Sequence, residues 1–176
     1  ISDKLRFLIK TVGSGLAPFD SWLILRGIKT LPIRMEKAQE NAQAIVEFLL
    51  QEKKVTKVYY PGIEGTKVYE ICKKQASGFG SMLTFEVESK ELALHILKST
   101  KLIPFAESLG GVETLLTYPT TQTHADVPEE VRIRNGITDR VLRLSVGIED
   151  KADLIADLRQ AIDSYGICNI YPKGRI

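Results

Sequence analysis

Residues 140–163, RVLRLSVGIEDKADLIADLRQAID, restrict the possible folds more than any other stretch of this chain. The first half alternates. Leu142, Leu144 and Val146 fall on one side of an extended backbone, and Val141, Arg143 and Ser145 fall on the other. Asp150 then stands where a helix N-cap belongs. Leu154, Ile155, Leu158, Ala161 and Ile162 recur beyond it at helical steps and form an amphipathic face. The same unit occurs earlier: SMLTFEVE places Leu83, Phe85 and Val87 on one face, and Ser89 opens the helix KELALHILKS. A strand that buries one face, followed by a helix that buries one stripe, calls for two packed layers.

The remaining segments fill in that scheme. VTKVYY is a short strand ended by the Pro61-Gly62 turn, and TKVYEICKKQA reads as a helix. LIPFA and VETLLTY read as further strands separated by SLGG, and VPEEVRIRNG as a short helix closed by a glycine. Upstream, GSGLAPFDSW is a glycine-punctuated loop entering a helix, with Pro18 in its first turn. A second, longer helix follows, with Pro32 near its start and a stripe of Leu31, Met35, Ala38, Ala42, Ile45 and Leu49. No long parallel βαβ series is present. The expected fold is therefore α+β, with a small antiparallel or mixed sheet, helices on one face, and a long helix before it that acts as a strut.

Composition narrows the function classes. The chain has 176 residues, and 24 basic against 22 acidic residues leave a net charge of +2, with the signs interleaved. That balance argues against nucleic acid as a partner. No apolar run reaches transmembrane length. Cys72 and Cys168 lie far apart in no metal spacing, and His95 and His124 are too few for a zinc site. The cysteines read as reduced thiols of a cytoplasmic protein. The opening ISDKLRF, without methionine, reads as the start of a fragment or a processed product. Trp22 and its apolar neighbours read as core.

Arg143 is the leading site candidate. A guanidinium in an apolar strand needs a partner, because an unpaired buried charge is too costly to keep. Either a carboxylate elsewhere in the chain meets it, or its rigid fork grips a ligand carboxylate in bidentate fashion. ESLGGVE, Glu107 to Glu113, offers bare backbone that a ligand approaches closely, although paired glycines between strands also serve as plain turns. TQTHAD places His124 beside Thr123 and Asp126. Such a histidine either does acid–base work or satisfies loop backbone.

Taken together, these stretches resemble one family. APFDSWLILRGIKTLPIRMEKAQENA, VYYPGIEG, KKQASGFGSMLTFEV, AESLGGVETLLTYP, THADVP and GITDRVLRLSVGIEDKADLIADL occur in its order from about residue 11 to 163. The chain looks like the C-terminal part of the Cys/Met-metabolism (trans-sulfuration) enzymes. These include cystathionine synthases and lyases and homoserine-ester sulfhydrylases, and they use pyridoxal phosphate (PLP).

The resemblance implies the C-terminal domain of a fold-type I PLP enzyme. Residues 1–54 would be the end of the PLP-binding domain and the interdomain helix, 55–163 the C-terminal domain, and 164–176 a tail of unknown role. Arg143 matches the arginine that binds the substrate α-carboxylate, and Ser108 and Leu109 match backbone positions of that pocket. Glu107 matches a residue facing the substrate's distal end, acidic as in gamma-synthases and gamma-lyases. Thr123 matches a pocket-wall threonine.

The family's Schiff-base lysine and ring-holding residues would precede Ile1. No catalytic, cofactor-binding or metal-binding residue is therefore assigned within this chain, which is expected to bind no PLP alone and to be inert in isolation. The implied partners are a small amino-acid substrate, the N-terminal PLP domain and further copies of the same protein. The alternative is a free-standing amino-acid-binding or regulatory/dimerisation module. Ile9-Lys10, Ala38 and Gln122 depart from the common pattern, where Gln-Asn, histidine and methionine are usual.

Overall fold

The computed structural model describes residues 1–166. Cys168 and most of the C-terminal tail lie outside the described residues. The chain divides into two compact units, Ile1–Ile33 and the part from Arg34 onward.

The first unit contains α1 (Ser2–Val12) and α2 (Pro18–Ile28). Helix α1 was not expected, although Leu5, Leu8, Ile9 and Val12 have helical spacing. Gly13, at φ 77°, closes it, and the Gly13 N–H donates to the Ile9 carbonyl at 3.0 Å. Pro18 starts α2, as its fixed φ favours. Neither helix buries a residue. The expectation that Trp22 is core is corrected: it is 54% exposed, stacked loosely on Phe19 with the Arg26 guanidinium over its ring. These two helices offer no second layer under which an indole could be buried.

Helix α3 (Leu31–Gln51) continues into the second unit, followed by β1 (Val55–Tyr59), α4 (Lys67–Gln75), β2 (Met82–Val87) and α5 (Lys90–Ser99). Then come β3 (Leu115–Thr117), α6 (Glu129–Arg134), β4 (Val141–Ser145) and α7 (Lys151–Asp163). The side chains of Thr66, Ser89 and Asp150 cap α4, α5 and α7 by accepting from backbone N–H groups of the first turn. The expected stripe on α3 is buried only from Ala38 onward; Leu31 and Met35 are exposed.

The sheet has order β1-β2-β4-β3, and every neighbouring pair is antiparallel. Register places Leu83 opposite Leu144, Phe85 opposite Leu142 and Leu116 opposite Leu144. These residues form one face, and they share a single core with Ile45 and Leu49 of α3, Leu92 and Ile96 of α5, and Leu154 and Leu158 of α7. The helices thus cover one face, as expected. On the other face, Tyr59, Thr84, Arg143 and Thr117 line up across the four strands. Two strand expectations shrink. LIPFA contributes only an isolated parallel bridge, Phe105 to Leu116, and VETLLTY is strand only over Leu115–Thr117.

Buried polar groups pin the connections. The Asp157 carboxylate on α7, 6% exposed, accepts from the backbone N–H groups of Lys101, Leu102 and Ile103 and from Gln160. Asn41 of α3, fully buried, donates from Nδ2 to the carbonyls of Gly147 (3.0 Å) and Glu149 (2.7 Å). The Glu149 carboxylate accepts from the N–H and hydroxyl of Thr114, whose oxygen in turn accepts from the Gly147 N–H at 2.9 Å. Gly147 allows this turn because a Cβ there would meet the Val112 carbonyl oxygen at 2.2 Å.

Candidate substrate-carboxylate site

The second face of β4 carries Arg143 and, two residues on, Ser145, so both side chains project to the same side. The strand keeps Arg143 half-buried between buried neighbours. Its Nη2 donates to the hydroxyl of Thr117, its cross-strand partner on β3, at 3.2 Å. Its Nε–H is buried and meets no acceptor among the described residues. Among the described residues, no aspartate or glutamate forms an ion pair with it. The intrachain salt bridge weighed from the sequence is therefore not made among the described residues, and the guanidinium meets one neutral hydroxyl and no countercharge there.

The loop from Ala106 to Gly110 is tied down over this face at both ends. At one end the Thr117 hydroxyl, which accepts from Arg143, donates to the Ala106 carbonyl at 3.0 Å. The Ala106 N–H also donates to the Leu116 carbonyl, and the Leu116 N–H to that of Pro104. At the other end the Gly110 N–H donates to the Ser145 hydroxyl at 2.9 Å. Glu107, Ser108 and Leu109 lie between these anchors, all exposed. The backbone N–H groups of Ser108 and Leu109 have no protein acceptor among the described residues. Thr117 and Ser145 thus tie the loop that carries Glu107, Ser108 and Leu109 to the face that carries Arg143. The donors there, a guanidinium edge and free amides, suit a carboxylate.

Thr123 is not joined to that cluster by any hydrogen bond. It lies in the turns after β3, bonded through Oγ1 to His124 Nδ1 at 2.8 Å. The His124 N–H donates to the Pro119 carbonyl, and Gln122 Oε1 accepts from the Tyr118 N–H. His124 is therefore engaged in local loop contacts. Thr117 and Ser145, which position the arginine and the loop, were missed from the sequence. Ser145 carried a signal, its two-residue spacing from Arg143. Thr117 becomes visible only with the cross-strand register.

The donors of the cluster suit a carboxylate and supply no tether for a carbonyl cofactor. Arg143, Thr117, Ser145 and the Ala106–Gly110 loop include no lysine amine to tether it. Among the described residues, no three His, Cys, Asp or Glu side chains group as metal ligands, and no helix is long and apolar enough to cross a membrane.

Comparison with known proteins bears on the family to which the chain belongs. A cystathionine gamma-lyase of Dictyostelium discoideum is 50% identical over 161 residues, covering 91% of this chain and 42% of its own length. A cystathionine beta-lyase of Lactococcus lactis is 45% identical over 163 residues, covering 93% of this chain and 43% of its own. The solved structure of cystathionine gamma-lyase from Lactobacillus plantarum complexed with L-serine superposes with a TM-score of 0.86 at 40% identity. That superposition covers 93% of this chain and 43% of the solved one. The chain thus spans about two fifths of the length of these relatives. The sequence model of the Cys/Met metabolism PLP-dependent enzymes matches residues 1–163, and the chain belongs to that family.

Proposed function

We propose that this chain is the C-terminal, substrate-carboxylate-binding part of a PLP-dependent trans-sulfuration enzyme. Its reaction would be elimination or γ-replacement on cystathionine, homoserine esters or related sulfur amino acids. Residues 1–54 close the PLP-binding domain and carry the interdomain helix, and residues 55–163 form the C-terminal domain. The observation that carries this reading is the half-buried Arg143 guanidinium, which has no acidic partner among the described residues. The L-serine complex of the Lactobacillus relative supports an α-amino acid as the occupant.

Arg143 then grips the α-carboxylate, and Thr117 holds the guanidinium in register. Ser108 and Leu109 offer backbone N–H groups to the same oxygens, Glu107 faces the distal end, and Thr123 forms part of the wall. PLP, when bound, supplies the electron sink. The lysine that tethers it belongs to the N-terminal part of the protein, so the 176-residue chain alone is inert. The exposed apolar residues of α1 and α2, including Leu8, Phe19 and Trp22, support a covering by that part. The whole enzyme acts in the cytoplasm as a homo-oligomer.

The test mixes the purified chain with PLP and cystathionine. The expected result is no visible absorption beyond free PLP and no turnover. A lysine-dependent band with turnover refutes the assignment. Because Arg143, Thr117 and the loop all belong to this chain, a second reading as a free-standing amino-acid-binding module has support. Calorimetry with cystathionine distinguishes the two: micromolar binding abolished by Arg143→Ala favours the module.

A further inference from the structure

Two asparagines fall among the described residues, and their settings are opposite. Asn41 is fully buried in α3, with its Nδ2 donating to the carbonyls of Gly147 and Glu149. Asn135 is exposed at the C-terminal end of α6, and its side-chain amide has no hydrogen-bond partner among the described residues. The next residue is Gly136, also exposed and held at φ 77°, where a Cβ would meet nothing within 4 Å. An asparagine followed by glycine is open to attack from its own backbone, because no Cβ shields the next amide nitrogen from the side-chain carbonyl.

Ring closure requires one turn of the backbone. At the Asn135 ψ of 6° the Gly136 nitrogen is rotated away from Cγ. The Gly136 N–H also donates to the Ile133 carbonyl at 2.9 Å, and the Ile137 N–H to that of Arg132 at 2.8 Å. Rotation about ψ breaks these two bonds, and water replaces them at a surface that is already exposed or half-exposed. Helix α6 has six residues, buries none of them, and lacks a side-chain bond at its N-cap. The end of such a helix opens at little cost. The bond from Arg132 Nη1 to the Thr120 carbonyl lies before the bond that turns, and it is kept.

We infer that Asn135-Gly136 is a self-modification site, at which the chain converts Asn135 to aspartate and isoaspartate without an enzyme. In the opened state, base removes the Gly136 amide proton and the nitrogen attacks Asn135 Cγ. The N–Cγ bond forms, the Cγ–Nδ2 bond breaks, and Nδ2 takes up a proton and leaves as ammonia. Water then opens the cyclic imide. Attack at Cγ breaks the new N–Cγ bond and leaves aspartate. Attack at the backbone carbonyl carbon breaks the original peptide bond and leaves isoaspartate, with the chain routed through Cβ and Cγ. No oxidation state changes, and water is the reagent consumed. Either product puts a carboxylate at the carbonyl end of α6, where the helix dipole disfavours an anion. Isoaspartate also lengthens by one carbon the connection from α6 to β4. The site uses no residue of the Arg143 cluster, so it stands or falls independently of what that cluster binds.

The test incubates the intact chain in mildly alkaline buffer and maps its peptides by mass spectrometry, with fragmentation that separates aspartate from isoaspartate. The peptide bearing Asn135 gains the mass of an NH-for-O exchange and contains both isomers, while Asn41 stays intact. Asn135→Gln, whose longer side chain closes a ring far more slowly, loses the signal. The folded chain converts at most about a hundredfold more slowly than the same chain unfolded in guanidinium chloride. Protection greater than that overturns the inference. So does conversion at Asn135 no faster than at Asn41, or the same modified species arising from Asn135→Gln.

Discussion

Replacing Asp157 with alanine removes the acceptor for three consecutive backbone N–H groups, those of Lys101, Leu102 and Ile103, at 2.8 to 3.1 Å. Water can reach two of them, because Lys101 and Leu102 are exposed. It cannot reach the third: Ile103 is 1% exposed, so its N–H is left unsatisfied. An unsatisfied buried donor costs about 1–3 kcal/mol, and each lost charge-assisted bond to a hydratable donor costs about 1 kcal/mol more. The expected loss is therefore about 3–5 kcal/mol. Asp157→Asn separates geometry from charge. Its remaining oxygen still serves Leu102 and Ile103, while its amide opposes the Lys101 N–H, for a loss of about 1–2 kcal/mol. In urea, with a slope of about 2 kcal/mol/M, the midpoint falls by about 1.5–2.5 M for alanine and about 0.5–1 M for asparagine. Hydrogen exchange at the Ile103 amide accelerates in the alanine variant only. Equal midpoints for wild type and Asp157→Ala, or an asparagine variant as unstable as alanine, would refute the reasoning.

Tyr60 is buried, and desolvation, with a smaller contribution from Cys72, pushes its pKa up from 10.0 to about 12. The folded protein therefore holds a proton that the unfolded chain releases. Stability is full below about pH 10 and falls by about 2–3 kcal/mol as pH rises toward 12. Tyr60→Phe flattens that fall in denaturant titrations, and an unchanged slope would count against it. Gly147→Ala forces the turn away from the Val112 carbonyl and lowers stability by about 2–3 kcal/mol, read as a drop in Tm; a neutral result would mean the turn relaxes freely. In the full-length enzyme, Thr117→Val keeps the shape of a buried β3 residue while removing both of its hydrogen bonds, and on the proposed reading it weakens amino-acid carboxylate binding at Arg143 about tenfold with the fold intact. Calorimetry showing wild-type affinity would mean the arginine needs no such support.

Much of the second unit was legible in the sequence because its signals are local. The alternation of β2 and β4, the caps at Ser89 and Asp150, and the stripe of α7 are all read within a dozen residues. Arg143 was found the same way, as a charge out of place in an apolar strand. What escaped depends on contacts made far along the chain. LIPFA has strand composition, yet pairing is decided by what lies beside it, and only Phe105 finds a partner. Thr117 earns its place from a register with a strand more than twenty residues later. Asp157 reads as a helix-surface acid until the loop 101–103 folds onto it. Trp22 shows the converse: its hydrophobicity was evident, but composition cannot say whether a second layer lies over it, and Trp22 is 54% exposed.

Asn41 offers a last consequence. The apolar contacts of α3 are broadly tolerant, since a helix that slid or rolled by a fraction of a turn would still present Ile45 or Leu49 to oil-like surroundings. The Asn41 amide is not tolerant. It meets two carbonyls in the turn that follows the Arg143 strand, and its own Oδ1 is left without a partner. It therefore behaves as an index pin, giving up some stability to fix one angular setting of the helix against the sheet. Any force that twists α3 must either break those two bonds or carry the end of β4 along. Through this one side chain, the rotation of a long helix is geared to the strand that holds the guanidinium.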